Sequence, residues 1–401
     1  MSVSNNLILI NGVFHTLAPK QPLVSAVAIR DEKIIYVGDT AGAKAVFGSE
    51  KAEVVDLKGA TVIPGLTDAH LHFEMYSMGL QAINAETPTV DEVLVEVEKR
   101  AKSFPDGKWI TGYGWNHNVW GGEFPTAEML DRVAPRHPVA LGAKSGHAGW
   151  VNTAAMLLAG ITNDTPNPPG GQIMRDGSGK ATGLMLEEAI YLVEKLIPAP
   201  TLDELVNAVK VGMQNANKLG LTGIHDLDQP SVFRAFQKLQ KNGQLTLRVN
   251  KGVPLAYLDQ VIAAGVYSGF GDDMLHLGSV KMFADGALGP KTAWMLAGYE
   301  TAPNDTGIPT TDIEVICESV LKANANGLSV AIHAIGDRAN REILDVYAEA
   351  KKRLPDTGLR NRIEHVQLLS PEDLGRLAEL GVIASMQPIH ATSDMYIADK
   401  H

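Results

Sequence analysis

One cysteine in 401 residues, Cys317, rules out an internal disulfide and any Cys-rich metal site. Scarce cysteine also fits a reducing compartment. Basic residues are in the minority, with 35 Lys and Arg against 46 Asp and Glu and a formal net charge of -11. Nucleic acids and anionic membranes are bound largely through basic surface, so neither is expected as a partner. Long apolar runs are missing as well. The opening segment, MSVSNNLILINGVFHTLAP, has no basic n-region, and its apolar run falls far short of the roughly 18 residues of a membrane span. The expectation is a cytoplasmic protein. What is present is the composition of an ordinary globular chain, 45% apolar and 20% charged, with enough of the former for a sizeable core. With cysteine so scarce, any metal here must be held by His, carboxylate or lysine-derived ligands.

The first 60 residues alternate short apolar runs with turn signals, in NLILING, AVAIRDEKIIYVG and AEVVDLKGATVIPG, and predict a small antiparallel β layer. From about Gly220 the texture becomes strand then helix. Strands are predicted to begin near residues 221, 246, 277, 328, 362 and 381, in LTGIHDL, LTLRVNKGV, LHLGSVKMFADG, LSVAIHAIGD, RIEHVQLL and GVIASMQPIH. Val- and Ile-rich runs alternating with helices signal parallel βαβ units. With VIPGLTDAHLH as the opening strand they number seven, whereas a closed (β/α)8 barrel needs eight. Two segments interrupt the rhythm. Residues 86–200 are too long for a loop and are expected to form an inserted α+β subdomain over the barrel mouth. Residues 286–311, dense in Gly and Pro, read as a long loop on the catalytic face. The expected domains are therefore a β-sandwich part at 1–60, the barrel at 61–85 and 201–401, and the insertion at 86–200.

The polar residues near the predicted strand ends form a series: His70 and His72, His225 and Asp226, Lys281 and Asp285, His333, His365, Gln387 and His390. In an HxH on a strand both imidazoles project from the same face and suit a shared ion. Lys281 lies inside an apolar strand, where an unpaired ammonium is unfavourable. It is either paired with Asp285 or carboxylated by carbon dioxide, which would make it an anionic bridging ligand. Trp115, Trp120 and Trp150 read as subdomain core, with Trp115 also a candidate to line an apolar substrate pocket. His15, His137, His276 and His401 read as incidental.

The motifs PGLTDAHLH, GLTGIHD, VKMFADGALG, AIHAIGDRAN and RIEHVQ, in that order, resemble the amidohydrolase superfamily, in its branch related to N-substituted formamide deformylases. GHAGWVN in the insertion matches that branch too. The resemblance implies a (β/α)8 TIM-type barrel flanked by a β-sandwich and holding one or two divalent ions, usually Zn2+. It implies that His70 and His72 bind the more buried ion, that Lys281 bridges as a carbamate, and that His333 and His365 bind the more exposed one. Glu187, in GLMLEEA, sits in a motif of the branch and is the alternative anionic ligand. Where the branch usually reads Ser-Arg after DGALG, this chain has Pro290-Lys291, which puts any substrate contact of that arginine in doubt.

The expected activity is hydrolysis of a carbon-nitrogen bond other than a peptide bond, of amide or formamide type, in a small-molecule substrate. The nucleophile is hydroxide generated by the metal. His225 and Lys281 are the catalytic candidates, and His147, Trp115 and Asp285 the substrate-binding ones. For His225 a hydrogen bond to Asp226 is the competing reading. Resemblance places a proton-shuttling aspartate on strand 8, several tens of residues beyond His401, because Asp394 and Asp399 follow strand 7 too closely. The chain therefore reads as truncated at its C-terminal end. The alternative function is a catalytically inactive metal-binding barrel. Open apolar edges at strands 1 and 7 favour a homo-oligomer.

Overall fold

The computed structural model describes residues 6–400, and His401 lies outside them. The chain divides into two compact units, Met1–Thr67 with Gly220–Gly223, and Asp68–Leu219 with Ile224–His401. The first therefore extends beyond the expected limit at residue 60, while the insertion and the barrel group together in the second.

In the first unit Asn6–Ile10 alternates buried and half-buried residues, as a strand with one covered face must. It pairs antiparallel with Ala26–Arg30 but parallel with Glu53–Asp56. The expectation of a purely antiparallel layer thus fails, for a reason visible in the chain. The helix Thr40–Ala45 intervenes between Lys33–Gly38 and Glu53–Asp56, and such a crossover returns a strand in parallel. Ile8, Ala28, Ala43 and Phe47 form this unit's core. Val13–His15, Leu23–Val24 and Thr61–Val62 make a separate three-stranded sheet.

The barrel strands are β1 (Leu66–Leu71), β2 (Leu221–Asp226), β3 (Arg248–Pro254), β4 (Leu275–Phe283), β5 (Val330–Ala334), β6 (Arg362–His365) and β7 (Ile383–Ser385). They lie side by side in chain order, and β3 to β7 pair in parallel throughout. Each of the six later strands begins within a few residues of the position read from the sequence. Most of β4 is buried on both faces, the pattern of a parallel strand covered by helices. The helix Asp337–Arg353 illustrates how those helices form. It carries Asp337 in its first turn and Lys351, Lys352 and Arg353 in its last, favourable at both ends of the helix dipole. It buries Ile343, Leu344, Tyr347 and Ala350, a stripe at helical spacing. The helix Leu202–Lys218 starts on a capping box made by Thr201 and Glu204.

The insertion builds its own six-stranded mixed sheet from Ile83–Asn84 to Ala181–Glu187, with Leu130, Leu141, Trp115 and Trp150 in its core. Among the described residues no helix is long and apolar enough to cross a membrane.

Candidate active site and metal centre

The ends of β1, β5 and β6 bring imidazoles together that lie up to 295 residues apart in sequence. His70 and His72 have ring centroids 5.7 Å apart, His70 and His365 4.6 Å, and His365 and His333 4.6 Å. His390, opening the short helix after β7, lies 5.4 Å from His365.

Each of the four histidines among the predicted ligands has one ring nitrogen tied down. His70 Nδ1 meets Glu364 Oε2 at 2.7 Å, His72 Nδ1 meets Asp228 Oδ1 at 2.9 Å, and His365 Nδ1 meets Gln387 Oε1 at 2.6 Å. His333 Nε2 donates to the Gly286 carbonyl at 2.8 Å. In the neutral ring the opposite nitrogen carries the lone pair. Acceptors that hold one imidazole nitrogen in this way fix the tautomer and orient the other toward a metal. Burial lowers the pKa of His333 to about 4 and of His365 to about 3, and it brings His70 below its usual value. These three rings are neutral at pH 7, the form that binds metal. Burial pushes Glu364 up, but hydrogen bonds from His70 and Arg362 outweigh it and hold the carboxyl well below the ordinary range.

Lys281 is 3% exposed, and its Nζ has no hydrogen-bond partner. It lies 4.7 Å from the centroid of the Phe283 ring. Burial lowers its pKa to about 8. The pairing with Asp285 does not form, because that carboxylate is already committed. It accepts from the backbone N–H groups of Trp294, Ile335 and Gly336 at 2.9, 3.0 and 2.8 Å, which fastens the loop after β4 to the loop after β5. Asp285 is thus 1% exposed and structural, rather than a substrate contact. Gly336 is required at this junction, since a Cβ there would lie 2.0 Å from the Trp294 carbonyl oxygen.

Among the described residues no three His, Cys, Asp or Glu side chains converge closely enough to hold a metal ion as they stand. The chemistry of the donors nevertheless fits one. Four imidazoles, each with one nitrogen held by an acceptor, stand at a mouth in which a buried amine lacks a hydrogen-bond partner, and such an orphan is the kind of group that a missing ion or modification satisfies. His365 and Val366 have φ of 78° and 44°, a region that a β-branched residue rarely enters. Strain of this kind collects at functional sites.

The remaining candidates fall elsewhere. His225 does not bond Asp226, because adjacent residues on a strand point to opposite faces. Its Nδ1 meets Arg362 Nη1 at 2.6 Å, while Asp226 pairs with the fully buried Lys251 at 2.9 Å. His147 and Glu187 pair with each other at 2.9 Å, with side chains 72% and 56% exposed. Trp115 is 1% exposed and gives its N–H to the Leu141 carbonyl, so most of its ring is core, and it borders a cavity of about 320 Å³ with His117, Phe124 and Lys144. Its ring stacks on Trp120, which in turn meets Trp150 edge-on. Lys291 reaches Thr301 Oγ1 at 2.9 Å on the surface of the long loop. A cavity of about 640 Å³ lined by Phe104, Lys108, Trp109, Pro198 and Glu204 contains none of the predicted site residues.

The sequence reading overlooked Asp228, Lys251, Arg362 and Glu364. A signal existed: three of them are charged residues inside barrel strands, the same anomaly that singled out Lys281.

A family model described as "Amidohydrolase family" matches residues 53–401. The chain is 34% identical to Protein LONG AFTER FAR-RED 3 of Arabidopsis thaliana, covering 97% of this chain and 69% of that one. It is 28% identical to the N-substituted formamide deformylase of Arthrobacter pascens, covering 95% of this chain and 72% of that one. Among solved structures, an uncharacterized metal-dependent hydrolase from Pyrococcus furiosus superposes with a TM-score of 0.82 at 27% identity, covering 98% of this chain and 79% of that one.

Proposed function

The chain belongs to the amidohydrolase family, and from that premise we propose that it hydrolyses an amide or formamide bond of a small molecule with the help of zinc at the barrel mouth. That it is a hydrolase of carbon-nitrogen bonds other than peptide bonds follows from the family and its relatives. The single observation that carries the finer reading is the cluster of His70, His72, His333 and His365, together with a buried Lys281 on β4 whose Nζ has no hydrogen bond. His70, His72 and His365 would ligate through Nε2 and His333 through Nδ1, the nitrogens that the hydrogen bonds leave open. Lys281, with a pKa of about 8, carries enough neutral amine near neutral pH to add to carbon dioxide. Its nitrogen then forms a bond to carbon and loses a proton, giving a carbamate that supplies oxygen ligands. A divalent ion bound there lowers the pKa of water to about 7 and polarises a carbonyl oxygen.

The chain's own groups do the rest. Glu364, Asp228, Gln387 and the Gly286 carbonyl hold the ligand rings in place. His225 donates a hydrogen bond to the substrate oxygen as negative charge develops on it. The relative named as a formamide deformylase makes N-formyl amines the first substrates to try. The test is elemental analysis of the purified protein, followed by metal removal, zinc reloading and a panel of N-formyl and N-acyl amines scored for released amine. At least one zinc per chain and metal-dependent amine release are expected. A protein that takes up no zinc on reloading overturns the reading.

A further inference from the structure

Arg362 is 9% exposed, and its guanidinium joins β6 to three neighbouring segments. Nε reaches Glu364 Oε1 at 2.6 Å, and Nη2 reaches Glu364 Oε2 at 2.8 Å, the Ala69 carbonyl at 2.6 Å and Ser385 Oγ at 2.9 Å. Nη1 meets His225 Nδ1 at 2.6 Å. A guanidinium carries donors only. His225 Nδ1 is therefore the acceptor in that contact, and the ring proton of His225 sits on Nε2. The ionised carboxylate of Glu364 is an acceptor only, so His70 Nδ1 is the donor in its 2.7 Å contact and its Nε2 is bare. One Arg-Glu pair thus imposes opposite tautomers on two imidazoles carried by adjacent strands.

We propose that Arg362 is a positioning residue that makes His225 a hydrogen-bond donor to the substrate oxygen and excludes it from the metal ligands, while through Glu364 it keeps His70 among them. The proposal rests on the hydrolase reading above. It accounts for why His225, in the same strand-end series as the ligands, has a different task. A bare Nε2 attracts a cation. An Nε2–H repels one and instead stabilises an oxyanion.

The tautomers are readable without turnover. Nitrogen-15 labelling of histidine in the metal-free protein, with the His225 signals assigned by their loss in His225→Gln, should show the Nε2–H form for His225 at neutral pH. An Nδ1–H form or an imidazolium overturns the proposal. His225→Ala should keep the zinc stoichiometry of the unaltered protein while kcat falls about 10²- to 10³-fold with little change in KM, the loss typical of one oxyanion donor. His225→Gln, which retains a donor, should recover part of that rate. Loss of zinc from His225→Ala also overturns the proposal. Arg362→Met should let His225 populate both tautomers, and a His225 that keeps Nε2–H alone in that variant counts against Arg362 as the cause. Should Arg362→Met fail to fold, the spectrum of the unaltered protein and the zinc content of His225→Ala decide. If no amine in the panel is released, the hydrolase reading fails while the tautomer and the zinc content still judge this one.

Discussion

Two clusters of rings lie within the same compact unit, and they are built on opposite rules. In the insertion, the ring centroids of Trp115 and Trp120 lie 6.3 Å apart and those of Trp120 and Trp150 6.1 Å, and each ring gives its single N–H to a backbone carbonyl, those of Leu141, Thr87 and Thr126. Nothing polar is left over, and the cluster is finished as packing. At the barrel mouth the histidines are as close or closer, but each has two nitrogens and the protein ties down only one. The difference teaches that ring proximity alone is uninformative. What separates a core from a site is whether hydrogen-bonding capacity remains after the local partners are counted.

The contrast can be broken most severely at the mouth. His70→Ala with His72→Ala removes two of the proposed ligands and should abolish stoichiometric zinc and lower amine release by more than the 10- to 100-fold typical of outer partners. Zinc content by elemental analysis checks it, and unchanged metal would erase the distinction between the clusters. In the insertion, Trp150→Ala should cost about 3–5 kcal/mol in denaturant unfolding, because a fully buried ring leaves a cavity, yet the folded fraction should bind zinc normally.

The clusters should also differ in acid. His333 and His365 have pKa values of about 4 and about 3 when folded, against about 6.5 in an unfolded chain. Below about pH 6.5 the unfolded state binds protons that the folded state refuses, so metal-free stability decreases as the pH is lowered, by up to about 1.4 kcal/mol per pH unit for each ring. Above that pH these rings contribute no slope. Urea midpoints at pH 7.5, 6 and 5 measure the effect, and His333→Asn with His365→Asn should flatten it. A flat profile in the unaltered protein would mean that these rings titrate normally.

Smaller changes sharpen the comparison. Asp228→Asn weakens the hold on His72 Nδ1 and on the Glu74 N–H, which Asp228 Oδ2 accepts at 2.6 Å. A drop in zinc affinity of about 10- to 100-fold is expected in a chelator competition. Glu187→Gln breaks an exposed pair, so stability should change by less than about 0.5 kcal/mol and zinc content not at all. Lost zinc there would restore Glu187 as the anionic ligand.

The barrel was legible because its signal is repeated. Most strands from LTGIHDL to GVIASMQPIH carry the same apolar run followed by a helical pattern, and the strand ends, with that of VIPGLTDAHLH, then point to His70, His72, His333 and His365 without knowledge of contacts. The supporting groups were not legible in the same way. Asp228 lies in a loop after β2 that looks like ordinary turn sequence, and its value depends on His72, just past the end of β1 and 156 residues away. Arg362 and Glu364 share one face of β6 by strand alternation, but only the folded sheet places His225 and His70 beside them. In the N-terminal layer the apolar alternation fixed strand positions, whereas strand direction depended on a short helix that the turn signals concealed.

The contact between His70 and Glu364 closes a loop of 294 residues. Loop closure of that length is entropically unfavourable, though the penalty grows only as the logarithm of length, so nearer pairings along the chain, β3 with β4 or β5 with β6, have the advantage of forming earlier. The tautomer of His70 is then settled at the end of folding, when β6 reaches the neighbourhood of β1. Until that moment the HxH pair is an unspecialised tripeptide motif with either nitrogen free to take a proton. Capture of the ion can serve as a clock for assembly: in stopped-flow refolding, a zinc-sensitive dye should report uptake only after the slowest change in tryptophan fluorescence.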